Sequence, residues 1–332
     1  EKGRVSMKLF AAIDIGSYEV EMKIFQITSG KGIKEIDCVC HRMELGKDVY
    51  RDGRIGVEMT DELCRVLNDF VRIMKGYRVD DWRVCATSAV REAGNQLVFL
   101  DRVKRHTGLE VEVLSNASQR FMDYKSIASR ENEFNRIIQK GTAIVDVGGG
   151  SIQISLFDKD RLVASQNMKI GNLRLRERMM NEGVSLKHYE TLLTEVVKNE
   201  FLSYKKLYLK DRVISNLIVV GDHIGDAVHK NVMTRADFLN FYDDMIYRSD
   251  EDAAGRCEVP EDVISVLRPS LVVYRCFLEA ADVENIWMPG LHLTDGMAYE
   301  YAQQNRLLKL GHDFDEDILA AARNAAKRYQ CS

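Results

Sequence analysis

Two segments carry the residue types best suited to chemistry. One reads FAAIDIGSY (residues 10–18) and the other TAIVDVGGG (residues 142–150), followed by Ser151. Each is an apolar run that ends in an aspartate, Asp14 or Asp146, and turns through glycine. Glycines let successive backbone N–H groups converge on an anion. An aspartate at the rim of such a turn can hold Mg²⁺, usually through water. The pattern therefore predicts phosphate held at Gly148, Gly149, Gly150 and Ser151, with Asp14 and Asp146 as metal ligands. The alternative is a tight hairpin whose glycines only supply positive φ angles.

Other residues offer less. Arg174, Arg176 and Arg178 should begin a helix near the second turn, and Arg174 is the one expected to meet an anion. The run YKKLYLKDR (204–212) gathers Lys205, Lys206, Lys210 and Arg212 between tyrosines. Its default reading is a solvated helix face. The seven histidines have no metal-ligand spacing; His223 and His292 stand at strand-end turns, where a lone histidine is more often structural. Tyr18 could plug the first turn or pack there. Glu19 could be a base or metal ligand, or a solvated residue at a hairpin start.

The elements that must position these groups follow from periodicity. LFAAID (9–14), EVEMKIFQI (19–27) and IKEIDCVC (33–40) read as a three-stranded meander. Helical spacing begins near Thr60, where Leu63, Leu67, Phe70, Val71 and Met74 form one stripe. Strands follow at 82–87 and 109–114, with helices at 95–107 and 117–131. The opening pattern then returns in TAIVDVGGG, SIQISLF (151–157) and RLVASQNMKI (161–170), and Asp146 lies 132 positions after Asp14. That period marks a duplicated domain rather than a solenoid unit. Helices are expected at 172–210, 234–245 and 260–281, strands at 216–221 and 284–290, and a last helix at 314–329. The order βββαβαβα, twice, is an α/β class. It predicts two ribonuclease-H-like domains, 1–125 and 126–310, with an interdomain cleft at the two turns and the terminal helix in 311–332.

Composition agrees with a folded chain. There are 332 residues, 45% apolar and 30% charged, and only three prolines. The balance of 47 basic against 51 acidic residues, −4, argues against DNA as a partner. No apolar run approaches the ~20 residues that span a membrane. Seven scattered cysteines without a C-x-x-C pair suit a reducing cytoplasm. Residues 1–8 (EKGRVSMK) read as a leader ahead of a start at Met7.

Several segments together resemble the exopolyphosphatase/guanosine pentaphosphate phosphohydrolase family, of the actin–hexokinase–sugar kinase superfamily. They are AAIDIGS (11–17), ATSAVREAGN (86–95), VEVLS (111–115), IVDVGGGSIQ (144–153), GNLRLRER (171–178) and GLHLTDGM (290–297). The chain's end, ILAAARNAAKRYQCS, resembles the start of the family's C-terminal extension. The resemblance implies hydrolysis of a terminal phosphoanhydride on polyphosphate or pppGpp, with Mg²⁺ as cofactor and a glutamate that activates water. Ser17, Arg91, Gly148 to Ser151 and Arg174 match its phosphate-binding positions. Pairing is common in the family, so the resemblance points to a homodimer.

The departures change the expectation. Gln119 stands in the place of the family's catalytic glutamate, and Gln153 in the place of a metal-linked one. Tyr18 and Glu19 replace small polar residues of the first loop. A like-charge pair at ~4 Å costs about 4 kcal/mol at an effective dielectric near 20. An amide cannot accept a proton from water, and general-base help is worth ~10²–10⁴ in rate. Glu92 is a candidate substitute, although an ion pair with Arg91 is the commoner use of such a neighbour. The site therefore reads as an impaired hydrolase. A silent polyphosphate- or nucleotide-sensing protein is the alternative. A small-molecule kinase on the same fold is a third reading; it needs Gly-Gly after NLIVVG, where Gly221-Asp222-His223 stands.

Overall fold

The computed structural model describes residues 6–159, 161–181, 186–209, 212–221 and 223–308, and beyond them only residues 316, 319, 322, 323 and 326. The helix expected over 314–329 thus lies almost wholly outside the described residues, as does Asp222. The chain divides into two compact units, residues 1–130 with 292–311 and residues 131–291 with 312–332.

The first unit begins with the expected meander, β1 (Met7–Ile15), β2 (Glu19–Thr28) and β3 (Gly32–Arg42). Helices α1 (Leu45–Asp52) and α2 (Val57–Tyr77) follow. Next come β4 (Asp81–Ala86), α3 (Ser88–Glu92), α4 (Gln96–Thr107), β5 (Val111–Val113) and α5 (Asn116–Ala128). The sheet order is β3-β2-β1-β4-β5, with β4 parallel to β1 and β5 parallel to β4. One face is apolar: Ala11, Ile13, Ile15, Val20, Met22 and Ile24 pack against Leu63, Leu67 and Phe70 of α2.

The second unit repeats this plan. After α6 (Glu131–Ile137) come β6 (Thr142–Val147), β7 (Ile152–Asp158) and β8 (Arg161–Met168). Helices α7 (Asn172–Asn181) and α8 (Leu186–Tyr204) run into a π-helical turn, Lys205–Leu209. Then come β9 (Asn216–Val220), α9 (Ile224–Val228), β10 (Val232–Thr234), α10 (Arg235–Met245), α11 (Asp250–Cys257), α12 (Glu261–Ala280) and β11 (Asn285–Trp287). The sheet order is β10-β11-β9-β6-β7-β8. Val145, Val147, Ile152, Ile154 and Leu156 bury one face with Leu193, Val197, Leu271 and Phe277.

The duplication reaches individual registers. Asp14 pairs with Glu21 across β1–β2, and Asp146 pairs with Gln153 across β6–β7. The register slips between Ile24 and Phe25 in β2 and between Leu156 and Phe157 in β7, three positions past Glu21 and Gln153 in each case.

The last described helix, α13 (Leu293–Gln304), belongs with the first unit. This departs from a second domain running over 126–310. The reason is packing: Leu293, Met297 and Ala298 of α13 bury against Phe10, Phe25 and Met122, and Tyr301 stacks on Phe10 at 4.2 Å between ring centroids. A Cβ at Gly296 would overlap the Met122 carbonyl, so α13 approaches α5 as only a glycine allows.

Candidate active site: two glycine loops and the rows behind them

Each aspartate ends a central strand and each loop closes in the same way. Gly16 N donates to Glu19 O at 3.0 Å, and Gly148 N donates to Ser151 O at 3.0 Å. Both loops close antiparallel hairpins, but neither Gly16 nor Gly148 adopts a positive φ, so positive φ is not what these glycines supply. Close approach is the actual requirement: a Cβ on Gly16 would lie 2.8 Å from Glu19 O, and one on Gly171 would overlap Gly148 O and Gly149.

The start of the following helix fixes each loop. In the first unit, Gly46 N donates to Ser17 O and Met43 N to Tyr18 O, at 2.8 and 2.9 Å. In the second, Asn172 N donates to Gly148 O and Arg174 N to Gly149 O, both at 3.0 Å. The Arg174 side chain adds a bond from Nε to Gly150 O at 3.0 Å. Arg174 thus brings its charge to the second loop while anchoring it. The N–H groups of Gly149, Gly150 and Ser151 donate to none of these loop bonds among the described residues.

Ser17 is buried within a hydroxyl triangle. Its Oγ lies 2.8 Å from Tyr50 Oη and 2.8 Å from Ser88 Oγ. Tyr50 sits on α1, a helix the periodicity did not reveal. Arg91 and Gln119 come together: Arg91 Nη1 donates to Leu114 O at 2.6 Å and reaches Gln119 Oε1 at 3.5 Å. Arg176 is turned to a structural role, with Nη2 donating to Glu177 at 2.8 Å and Nη1 to Ser265 at 2.9 Å. Lys206 and Arg212 line a cavity of about 660 Å³ with Lys140, Phe157 and Tyr208. That cavity lies at the Thr142 end of β6, away from the glycine loop. Lys210 is outside the described residues. Tyr18 is buried, and Glu19 accepts from the Cys40 thiol at 3.1 Å.

Behind the first loop lies a charged cluster that the sequence reading missed. Glu21 takes His292 Nδ1 at 2.8 Å and the Thr294 hydroxyl at 2.6 Å. Lys23 Nζ meets Asp295 at 3.0 Å and Glu35 at 3.1 Å. Burial opposes the Glu21 charge, but His292, Lys23 and Thr294 outweigh it and hold the carboxyl at about 2. Burial likewise opposes the His292 charge, and Glu21 overcomes it, raising the imidazole to about 9. These partners lie some 270 positions apart, as for Glu21 and Thr294, so spacing gives no signal of them.

Behind the second loop the equivalent row is neutral. Gln153 is 2% exposed, and neither Nε2 nor Oε1 has a hydrogen-bond partner among the described residues. Asn167, its partner across β7–β8, buries an unpartnered Oδ1. Asp146 is buried, and its Oδ1 packs so close to Gly221 (φ 78°) that a Cβ there would overlap it.

Neither row sets a second, unengaged carboxylate beside its aspartate for a resident Mg²⁺. Asp146 faces an amide, and the carboxylate that faces Asp14 is already held by His292 and Thr294. Among the described residues no three His, Cys, Asp or Glu side chains form a metal-holding group.

Two β-meander α/β units, each turning through an aspartate–glycine loop, define an actin-like fold class. Residues 23–304 match the Ppx/GppA phosphatase family, and the chain belongs to it. The chain resembles a solved Ppx/GppA family member of Aquifex aeolicus at 22% identity, over 90% of this chain and 99% of that one, with a TM-score of 0.73. An exopolyphosphatase structure from Cytophaga hutchinsonii is similar at 17% identity, over 90% and 98% of the two chains, with a TM-score of 0.78. Among curated proteins it resembles exopolyphosphatase 2 of Mycobacterium tuberculosis, 27% identical over 52% of this chain and 54% of that protein. A guanosine-5'-triphosphate,3'-diphosphate pyrophosphatase of Vibrio atlanticus is 22% identical over 52% and 34%. The matches thus span about half or less of these curated relatives' length. No helix among the described residues is long and apolar enough to cross a membrane.

Proposed function

We propose that this chain binds the terminal phosphoanhydride of polyphosphate or a guanosine polyphosphate and hydrolyses it slowly. The observation that carries this is the second loop. Gly148 N closes the turn, Arg174 N and Nε hold it, and the N–H groups of Gly149, Gly150 and Ser151 are left to face an anion. Within the first unit, Ser17 and Arg91 are the corresponding phosphate-binding candidates in this reading. Gln119, beside Arg91, can orient a water by accepting a hydrogen bond but cannot take its proton. Positioning and electrostatic stabilisation then remain without general-base help. The named relatives, an exopolyphosphatase and a guanosine polyphosphate pyrophosphatase, support the substrate class.

Phosphate release from long-chain polyphosphate and from pppGpp, measured beside Asp146→Ala, tests this. A slow release that the variant abolishes is expected. Gln119→Glu should raise it by ~10-fold or more by restoring a base. Release equal in both proteins, with no binding of either substrate, would overturn the proposal. Binding without release would favour the sensing alternative, which the buried, neutral Gln153 also suits.

A further inference from the structure

The inference rests on the phosphate-binding reading and concerns what that loop requires. Asp146, Gln153 and Asn167 are consecutive partners across β6, β7 and β8, so their side chains share one face. Burying an amide with neither end bonded costs roughly 1–3 kcal/mol. Gln153 buries both ends, and Asn167 Oδ1 and Ser165 Oγ beside it are buried and unpartnered as well. A row of this kind, one turn behind an anion nest, is complementary to a polar group that comes with the ligand. An amide offers what a carboxylate cannot: Nε2 donates directly to a phosphate oxygen while Oε1 accepts from a water or a phosphate hydroxyl.

Charge points the same way. Two carboxylates at the loop would need a cation before an anion could enter. Here Asp146 is the one carboxylate of the row, and Arg174, held against Gly150 O, places a positive charge at the loop. We infer that the second loop takes phosphate directly, through the neutral amides of Gln153 and Asn167, so that phosphate binding by this chain does not depend on a divalent cation.

The test is equilibrium binding of inorganic tripolyphosphate to the full chain, in millimolar Mg²⁺ and in EDTA. The wild type should keep its Kd within about threefold when the metal is withdrawn. Gln153→Glu adds a like charge and should weaken binding in EDTA by at least about tenfold, or ~1.4 kcal/mol, with recovery in Mg²⁺. Gln153→Met removes both polar ends without adding charge and should weaken binding about equally in both conditions; circular dichroism checks that each variant is folded. Wild-type binding seen only with Mg²⁺ would overturn the inference and leave the proposed function standing. So would unchanged binding in both variants. No binding by the wild type in either condition would overturn both.

Discussion

Equivalent rows behind the two loops have been resolved in opposite ways. Asp14–Glu21–Cys40 and Lys23–Cys38 run across the first sheet, and Asp146–Gln153–Asn167 and Ser155–Ser165 across the second. In the first row Glu21 and Lys23 are charged and paired from within, because α13 returns to them with His292, Thr294 and Asp295. In the second row amides stand where the first has a carboxylate and a thiol, and Gln153 is unpartnered among the described residues. Buried charge without a partner is costly, and paired charge demands a fixed partner. The first row therefore spends its polar groups on holding a helix. The second keeps Gln153, Asn167 Oδ1 and Ser165 Oγ without partners among the described residues, which suits a ligand that brings its own polar groups. Equal topology has produced one cluster that fixes a helix and one that, in the proposed reading, meets a ligand.

The largest expected effect lies in the first row. Glu21→Gln leaves His292 and Lys23 without the carboxylate they share and should destabilise the first unit by about 3 kcal/mol, since removing one partner of a buried pair typically costs 3–5. Chemical denaturation measures it. A loss below ~1 kcal/mol would mean that the cluster is solvated, and the contrast between the rows would collapse.

Acidity gives the next effect. His292 is raised from 6.5 to about 9 on folding, so its contribution is complete below pH 6.5 and is lost as pH rises through 9. Glu21 is lowered from 4.5 to about 2, so its contribution is complete above pH 4.5 and is lost as pH falls toward 2. The groups facing this pair are Lys23 from β2, Glu35 and Cys38 from β3, and Asp295 from α13. Because the His292 side chain is 33% exposed, the alkaline loss is discounted to roughly 2 kcal/mol. Urea titrations from pH 6 to 10 should show that loss in the wild type and a much flatter profile in Glu21→Gln. Parallel profiles would assign the alkaline loss to other groups.

The repeated aspartate–glycine turns were legible in the sequence because local alternation and a 132-residue repeat both mark them. Most expected strands fell within a residue or two of their expected ends for the same reason, while the 284–290 segment forms a strand only over Asn285–Trp287. Short elements escaped: α1 and α11 have eight residues each and β10 has three, too few for a period to show. Glu21 and Lys23 alternate with Val20 and Met22, a pattern that ordinarily marks a wet face. That this face is buried depends on a helix from the other end of the chain. The anchoring bonds of Arg174 depend on how α7 meets the loop, which periodicity does not encode.

A change in the opposite direction sharpens the comparison. Gln153→Met replaces an unpartnered buried amide by an apolar chain of similar length. Without ligand it should stabilise the protein by about 1 kcal/mol, a rise of roughly 2–4 °C in Tm for a unit of this size. Differential scanning calorimetry of the ligand-free protein measures it. Glu21→Met, at the equivalent position, should lower Tm. A Tm lowered by both substitutions would show that Gln153 is used within the fold, and the functional reading of the second row would lose its support.

The smallest effect is expected at Glu19, the carboxylate that follows the first loop in β2. Its backbone carbonyl closes the turn by accepting from Gly16 N, which no side-chain substitution alters. Its side chain accepts from Cys40 on β3 rather than lining the turn. Burial first, and then the Glu19 carboxylate, hold the Cys40 thiol well above its ordinary range. Glu19→Ser should therefore change tripolyphosphate affinity by less than twofold, because the charge removed is solvent-screened. The same substitution should make Cys40 ionise more readily, seen as faster alkylation of that cysteine near pH 9 while Cys38 changes little. Affinity tightened by tenfold instead would place the Glu19 charge against the bound phosphate, and the first loop would then share the ligand-facing character assigned here to the second.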